Sequence, residues 1–194
     1  MTLTSSEVES TLAGRNISAE FRDGFDELCV TVHLEDWLAA VTVARDELKL
    51  TYFDWLSAID NGGDGFTVVL HVFRTNDASR LLLQTTVSAE QPTVHSITSV
   101  YRGASWHERE THEMFGIDFA GHPYLVPLLL PDGFEGHPLR KDFVLASRAA
   151  KAWPGAKEPG ESDASGPPTR RKILPPGVPD PDTWGPRPPA EASP

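Results

Sequence analysis

Hydrophobic and polar residues follow a helical spacing and then a strand spacing at the start of the chain. The segment SSEVESTLAG predicts a short helix, with Ser5 or Ser6 as its N-cap and Gly14 as its stop. The runs ISAEFRD and ELCVTVHL alternate apolar and polar side chains on either side of a turn at Asp23-Gly24. This pattern predicts a β-hairpin that begins a sheet.

A second helix is predicted from Glu35 to Leu48, because apolar residues recur there at helical spacing. The helix should cover one face of the sheet. Its apolar positions are Trp37, Leu38, Val41, Ala44 and Leu48. The next segment, YFDWLSAIDN, is apolar and ends in residues typical of a turn.

The middle of the chain predicts further strands and a third helix. NGGDG lacks the G-x-G-x-x-G spacing of a phosphate loop and no helical pattern follows it, so we expect a hairpin turn. FTVVLHVFR and SRLLLQTTVS then predict two antiparallel strands. A helical stretch is expected over about Ile97 to Phe115, with an interruption near Gly103.

The C-terminal part of the chain loses this regular spacing. The segment GHPYLVPLLLPDGFEGHPLRKDF predicts an irregular loop. From Trp153 onward, 12 of the 17 prolines in the chain prevent helix and most strand pairing. We therefore expect one domain over 1–150 and a proline-rich tail, extended or disordered, over 151–194.

Charge and cysteine content exclude several functions. The net charge of −11 lies in residues 1–150, which carry 22 acidic and 11 basic side chains, and this balance argues against nucleic-acid binding. The single cysteine, Cys29, excludes an internal disulfide and a cysteine-held iron–sulfur cluster, and it is expected to be a small buried strand residue. The sequence shows neither a membrane-spanning run nor a signal peptide, so a cytoplasmic protein is expected.

The motif WHERETHEMFG raises the question of a metal or acid/base site. His107 and His112 are five residues apart, a spacing that turns a helix by about 140° and separates the two rings, so one zinc ion cannot bind both. Glu108 with His112, or Glu110 with Glu113, could share a helix face. A solvated or ion-paired face is the favoured interpretation, and an acid/base site or a stand-alone metal hydrolase is the alternative.

The end of this motif predicts how the helix is anchored. Met114, Phe115, Ile117 and Phe119 are apolar, and Gly116 is expected to end the helix in a left-handed conformation. The chain has no G-x-S-x-G and no Walker-type loop. Chemistry by this chain alone is therefore not indicated.

Two Gly-His-Pro segments follow, at Gly121-His122-Pro123 and at 136–138. Each histidine precedes a proline, which favours extended backbone. The two histidines could be metal ligands, but hydrogen bonds to neighbouring backbone or to a carboxylate are the favoured interpretation. PLRKDF, which follows, is predicted to be an extended docking strip for another protein.

The segments WHERETHEMFGIDFAGHP and LLLPDGFEGHPLRKDF, over Trp106–Phe143, resemble the signature of the 30 kDa-type (C-type) subunit of respiratory complex I, an NADH:quinone oxidoreductase. The family pattern has Glu-Arg-Glu, an acidic residue, Met/Leu-Phe-Gly and Gly-His-Pro. Glu-Gly-His-Pro-Leu-Arg-Lys-Asp and an aromatic residue then follow. Phe53–Asp60 is also similar to the Phe-x-x-Leu-x-Ala-x-Asp segment of the family.

The resemblance implies an α+β fold, with a mixed β-sheet covered by helices. It implies a cofactor-free, non-catalytic subunit of a proton-translocating enzyme, in which other chains hold the iron–sulfur clusters, FMN and quinone. The implied partners are the D-type quinone-site subunit, the B-type subunit and the ferredoxin-like I-type subunit. The implied location is the cytoplasmic side of the cell membrane, with membrane contact only through the complex.

Residue by residue, the resemblance assigns two sets of signature residues, which are expected to shape the fold and the contacts between subunits, with buried ion pairs fixing the register. The helical set is Glu108, Arg109, Glu110, Glu113, Phe115 and Gly116. The loop set is Gly121, His122, Pro123, Glu135, Gly136, His137, Pro138, Leu139, Arg140, Lys141, Asp142 and Phe143.

The chain departs from the family pattern at two places. It has Tyr124-Leu125-Val126-Pro127 where the family usually has an Asp and then Leu-Arg-Arg, and Val144 replaces a proline. The partner surface that receives those arginines is therefore expected to differ. These departures keep a second function open, in which the chain is the equivalent subunit of a ferredoxin-linked quinone oxidoreductase or a membrane-bound hydrogenase complex.

Overall fold

The computed structural model describes residues 3–24 and 27–143 of the protein. The predicted tail over 151–194 and the departure at Val144 lie outside the described residues. Within the described part, no helix is both long enough and apolar enough to cross a membrane.

The centre of the fold is a five-stranded mixed sheet in the order β1-β2-β5-β4-β3. Strands β2 and β5 pair in parallel, and the other neighbours are antiparallel. The strands are β1 (Ala19–Gly24), β2 (Glu27–Val32), β3 (Tyr52–Asp60), β4 (Phe66–Arg74) and β5 (Ser79–Val87). Two short strands, β6 (Thr93–His95) and β7 (Asp118–Ala120), form a separate parallel pair. This arrangement confirms the α+β prediction with a mixed sheet.

Three helices accompany the sheet: α1 (Ser5–Ala13), α2 (Trp37–Asp46) and α3 (Ala104–Phe115). The hydroxyl of Thr4, rather than that of Ser5 or Ser6, caps α1 by accepting from the Glu7 N–H at 3.2 Å. A single 3₁₀ turn, Leu34–Asp36, leads into α2. The α3 helix begins after Gly103, so the predicted start at Ile97 was wrong, and turns occupy 97–103.

The helices pack on one face of the sheet because the strands alternate in burial. Val68 and Leu70 of β4 are fully buried in the core, together with Trp37 of α2 and Ile97. Neighbouring strand residues point to the opposite face, and Cys29 there is only half-buried, which corrects the prediction of a buried cysteine. The strand pattern therefore fixes which face receives the helices.

Several predictions for individual segments are confirmed. The hairpin between β1 and β2, the helix α2, the turn at NGGDG and the antiparallel pair β4–β5 all form as expected. The prediction for PLRKDF is wrong: the segment is not extended, because the Arg140 N–H donates to the His137 carbonyl and the Phe143 N–H donates to the Arg140 carbonyl, both at 3.1 Å.

Candidate functional site

The signature residues converge on helix α3, which is amphipathic and ends at Gly116 with φ of 73°. This left-handed conformation was predicted, and it lets the Gly116 N–H donate to the His112 carbonyl at 2.7 Å. The buried side of α3 packs towards β3 and carries two acidic residues, Glu108 and Glu113. These two carboxylates organise the backbone on either side of the helix.

Glu108 is fully buried, and it binds the segment that precedes α3. Its Oε1 accepts from the Ile97 N–H at 2.7 Å, and its Oε2 accepts from the Ser96 hydroxyl at 2.6 Å. Burial raises the pKa of Glu108 to about 7, although the bonds from Ser96 and Ile97 act in the opposite direction. The carboxyl therefore changes charge near neutral pH.

Glu113 binds the main chain of the loop that follows α3. Its two carboxylate oxygens accept from the N–H groups of Leu128, Leu129 and Leu130 at 2.7 to 3.2 Å. Hydrogen bonds to a charged acceptor are stronger than neutral ones, so this cluster fixes an otherwise irregular backbone. This role was not predicted from the sequence. Its donors are main-chain N–H groups, which every residue except proline has, so residue types do not identify them.

The charged face of α3 is therefore neither solvated nor ion-paired at Glu108 and Glu113, contrary to the favoured prediction. Glu110, which lies between them, is exposed as expected. His122 lies near Glu108, with 4.0 Å between its Nε2 and Oε2, but burial lowers the pKa of His122 and favours the neutral ring. The expected buried ion pair is thus replaced here by hydrogen bonds to neutral groups.

Arg109 holds the loop from the outer side of α3. Its Nε donates to the Val126 carbonyl at 2.9 Å, and its Nη2 donates to the Pro127 carbonyl at 2.8 Å. The guanidinium carbon also lies 5.5 Å from the ring centres of both Trp106 and Tyr124. The departures from the family pattern at Tyr124, Val126 and Pro127 are therefore direct partners of Arg109.

The second loop signature packs against the end of α3. His137 Nδ1 donates to the Glu113 carbonyl at 2.8 Å, and Arg140 Nε donates to the Phe115 carbonyl. The Arg140 guanidinium also lies over the Phe66 ring, 5.1 Å from its centre. A Cβ at Gly116 would lie 2.6 Å from His137 Nε2, so only glycine permits this approach.

The four histidines of the two motifs bind backbone rather than one another. His107 and His112 contact different segments, with their Nδ1 atoms 3.2 Å from the Leu56 carbonyl oxygen and 2.9 Å from the Ile117 carbonyl oxygen. His122 Nε2 lies 3.2 Å from the Ser105 carbonyl oxygen, and its Nδ1 accepts from the Tyr124 N–H at 3.0 Å. In the described part of the chain, no group of three His, Cys, Asp or Glu side chains could hold a metal ion.

The remaining signature residues lie on the surface of the loop. Glu135, Pro123, Lys141 and Asp142 are exposed. The Lys141 main chain is nevertheless fixed, because its N–H donates to Asp60 Oδ2 at 2.7 Å. Asp60, Ser96 and Ile97 are thus part of the site, although of these only Asp60 lay in a segment that resembled the family pattern.

Large apolar side chains of α3 and of the loop that follows it are exposed, and we call this group the loop surface. They include Trp106 and Tyr124, which are 62% and 65% exposed, and Leu129, which is 60% exposed. The full set is Trp106, Tyr124, Leu129, Phe134 and Leu139. An apolar surface held on rigid backbone is typical of a protein-binding site.

Comparison with known families and curated proteins gives a consistent result. Residues 30–149 match the family described as the respiratory-chain NADH dehydrogenase 30 kDa subunit. The chain is 41% identical over 134 residues to the C-type subunit of NADH-quinone oxidoreductase from Roseiflexus sp. (strain RS-1), covering 67% of this chain and 75% of that protein. It is also 41% identical over 128 residues to the corresponding C-type subunit from Sinorhizobium medicae, covering 62% of each.

Two solved structures share the fold. One is a trypsin-resistant fragment (1-134) of Nqo5, with a TM-score of 0.51 and 22% identity, covering 62% of this chain and 98% of that one. The other belongs to a membrane-bound sulfane sulfur reductase, an archaeal respiratory membrane complex, with a TM-score of 0.65 and 18% identity. That match covers 78% of this chain and 95% of the other.

Proposed function

Because the chain belongs to the 30 kDa subunit family of respiratory-chain NADH dehydrogenases, we propose that it is a cofactor-free structural subunit in the peripheral arm of a proton-translocating NADH:quinone oxidoreductase. It docks the D-type quinone-site subunit and lies near the B-type subunit and the ferredoxin-like I-type subunit. Electrons pass from NADH through FMN and iron–sulfur clusters held by other chains. The chain lies on the cytoplasmic side of the cell membrane and meets the membrane only through the complex.

The loop surface is the observation that carries the docking role. Its apolar side chains stand on a backbone fixed by Glu113, Arg109 and Arg140, so little conformational entropy is lost when a partner binds. Within the described residues, no group of three His, Cys, Asp or Glu side chains beside them could hold a metal ion. A rigid scaffold with an exposed apolar rim supports binding better than it supports catalysis.

A tagged pull-down from gently solubilised membranes tests this proposal. Wild-type protein is expected to recover the quinone-site and NADH-binding subunits. Leu129→Asp places a charge in the loop surface, and it should reduce that recovery at least about tenfold. Glu9→Lys, on the exposed side of α1, is the control and should recover both subunits. If the wild type recovers neither subunit, the proposed function is wrong.

The contacts of Arg109 favour a second candidate, in which the electron donor is a ferredoxin. Tyr124, Val126 and Pro127 bind Arg109 where the family pattern has an Asp and two arginines, so the surface offered to a partner differs in charge. In that case the chain would serve a ferredoxin-linked quinone oxidoreductase or a membrane-bound hydrogenase complex. The same pull-down would then recover the quinone-site subunit without an NADH-binding subunit.

A further inference from the structure

The histidine of the first Gly-His-Pro segment connects helix α3 to the loop surface. The His122 side chain is fully buried, and its two ring nitrogens contact Ser105 of α3 and the main chain of Tyr124. Tyr124 is one of the five side chains of the loop surface. The protonation state of this ring therefore acts directly on that surface.

The main chain determines which ring nitrogen carries the proton. A main-chain N–H can only donate, so the bond from the Tyr124 N–H at 3.0 Å requires an unprotonated Nδ1. The proton of the neutral ring is then on Nε2, which donates to the Ser105 carbonyl oxygen at 3.2 Å. Both nitrogens are thus satisfied when the ring is neutral.

A second proton on the ring would break this arrangement. The proton would bind to Nδ1 and turn that atom from an acceptor into a donor, so two N–H groups would face each other. The Tyr124 N–H would then have to move away from the ring. The neutral ring therefore holds Tyr124, and the charged ring releases it.

The groups around the ring do not compensate a positive charge. Burial lowers the pKa of His122, and Arg109 and His112 of α3 act in the same direction, against the bond to Ser105. Glu108 Oε2 lies 4.0 Å from Nε2, but burial raises the pKa of Glu108 to about 7. This carboxyl is therefore increasingly neutral as the pH falls below 7, when the ring gains its proton.

The elements packed beside α3 do not alter this balance. In the segment before α3, the Ser96 hydroxyl and the Ile97 N–H bond to the carboxyl of Glu108, and both groups are uncharged. In β7, Asp118 Oδ1 lies 3.3 Å from His112 Nδ1. Among the described residues, Glu108 is thus the one acid within 4.0 Å of the ring.

Release of Tyr124 would reach the rest of the loop through Arg109. The guanidinium carbon lies 5.5 Å from the Tyr124 ring centre, and the same guanidinium donates to the Val126 and Pro127 carbonyls. The Val126 N–H also donates to the Tyr124 carbonyl at 3.1 Å. The bond from Tyr124 to the buried ring is therefore part of the set of contacts that fixes residues 124–127.

We propose that His122 is a pH-sensitive switch for the loop surface, in which the neutral ring holds Tyr124 for docking and protonation releases it. The weakening of docking rests on the proposed function, because it requires a partner, whereas the release of Tyr124 belongs to this chain alone. The folded ring has a pKa below that of a free histidine, about 6.5. Its contribution is therefore fully present above about pH 6.5 and is lost as the pH falls through the folded pKa.

Nuclear magnetic resonance on the full chain tests the switch without a partner. Ring ¹⁵N shifts of His122 should show a neutral ring protonated at Nε2 at pH 8. One pH unit below the midpoint of the ring titration, about 90% of the rings are charged. Protection of the Tyr124 amide against hydrogen exchange, corrected for the intrinsic exchange rate, should then be at least about fivefold lower than at pH 8.

Three results of this titration would overturn the inference. They are a proton on Nδ1 at pH 8, a ring that stays neutral down to pH 5, and a ring that titrates while the Tyr124 amide stays protected.

His122→Asn separates the titration from the hydrogen bond. The asparagine side-chain oxygen can accept from an N–H two residues further on and cannot take up a proton in this range, so the Tyr124 amide should stay protected at every pH. His33→Asn, at an exposed histidine outside the site, is the matched control and should leave the titration of His122 unchanged. Circular dichroism checks that both variants are folded.

A tagged pull-down at pH 7.5 and at one unit below the ring midpoint measures the effect on docking. Wild type should recover at least about fivefold less partner at the lower pH, because about a tenth of the chains then hold Tyr124. His122→Asn should lose less than about twofold, and equal losses in the two proteins would overturn the inference. A wild type that recovers no partner at pH 7.5 refutes the proposed function instead, so the two failures are distinguishable.

Discussion

At the scale of single residues, two carboxylates of α3 both accept main-chain N–H groups, but they differ in pKa. Glu108 and Glu113 both accept main-chain N–H groups, and both are buried. Glu108 differs because burial raises its pKa to about 7, so part of its population gains a proton near neutral pH. Its contribution to stability should therefore depend on pH.

Glu108→Gln tests this dependence. The folded pKa lies above that of an unfolded glutamate, so the folded state binds the proton more tightly and loses stability as pH rises from about 4.5 through about 7. The glutamine keeps an oxygen for the Ile97 N–H and cannot ionise. The variant should gain on the order of 2 kcal/mol relative to wild type between pH 5 and pH 8.

Urea unfolding of the full chain at pH 5, 6, 7 and 8 measures this difference. Glu110→Gln is the matched control, since Glu110 is exposed on the same helix and should give no pH-dependent difference. A constant offset between Glu108→Gln and wild type across the four pH values would contradict the argument.

Comparing alanine substitutions at Gly116 and Gly121 separates the cost of a positive φ from the cost of a steric contact. Both have positive φ, 73° and 85°, so alanine at either position costs about 1 kcal/mol. A Cβ at Gly116 would also meet His137 and Arg140 at 2.6 and 2.7 Å, whereas a Cβ at Gly121 meets nothing within 4 Å. Gly116→Ala should therefore lose at least about 1 kcal/mol more than Gly121→Ala in urea unfolding. Equal losses would show that the contact at Gly116 can relax freely.

At the scale of elements, the loop after α3 is fixed by side chains of that helix, and Glu113 makes three of these bonds. Glu113 accepts from three consecutive N–H groups, at Leu128, Leu129 and Leu130, in a segment without regular strand or helix. The loop therefore has little stabilisation of its own and takes its shape from α3. This dependence makes its order measurable through one substitution.

Glu113→Gln should loosen that loop. A neutral amide replaces one acceptor oxygen by a donor, so at least one of the three N–H groups loses its partner, at a cost of about 2 kcal/mol. Hydrogen exchange of the Leu128–Leu130 amides should become at least about tenfold faster, while the β4 amides remain protected. Glu110→Gln should leave these rates unchanged, and unchanged rates in Glu113→Gln would refute the role of Glu113.

How much of the fold could be predicted depends on how local each signal is. The hairpin, α2 and the β4–β5 pair follow from spacing along one segment, and all were predicted. Strand β3 was not assigned because a bulge between Phe53 and Trp55 breaks its alternation. Strands β6 and β7 have three residues each, and α3 lies between them in the sequence, so neither shows a local pattern.

The same dependence on local signals explains which parts of the site could be predicted. The left-handed Gly116 and the backbone contacts of His122 and His137 could be predicted from local chemistry. The roles of Glu108 and Glu113 could not, because an acidic helix residue gives the same sequence signal whether it faces water or a buried main chain. The start of α3 was misplaced because residues 97–103 form turns, which apolar spacing alone does not distinguish from a helix.

At the scale of the whole molecule, charge and apolar surface act together. The chain has a net charge of −11, and its loop surface carries exposed apolar side chains. Apolar contacts give affinity without much dependence on salt, whereas the acidic field guides basic partners and is screened by salt. The salt dependence of assembly therefore reports how far charge contributes.

Raising NaCl from 0.1 M to 1 M should weaken the recovery of partner subunits by the tagged chain, because the screening length falls from about 10 Å to about 3 Å. The unfolding free energy of the chain alone should change little, since exposed ion pairs such as Arg15 with Glu47 contribute little to stability. The measurement is a pull-down washed at increasing NaCl beside urea unfolding at the same concentrations. Recovery that is independent of salt would mean that apolar contacts alone hold the assembly, and that the acidic charge serves only solubility.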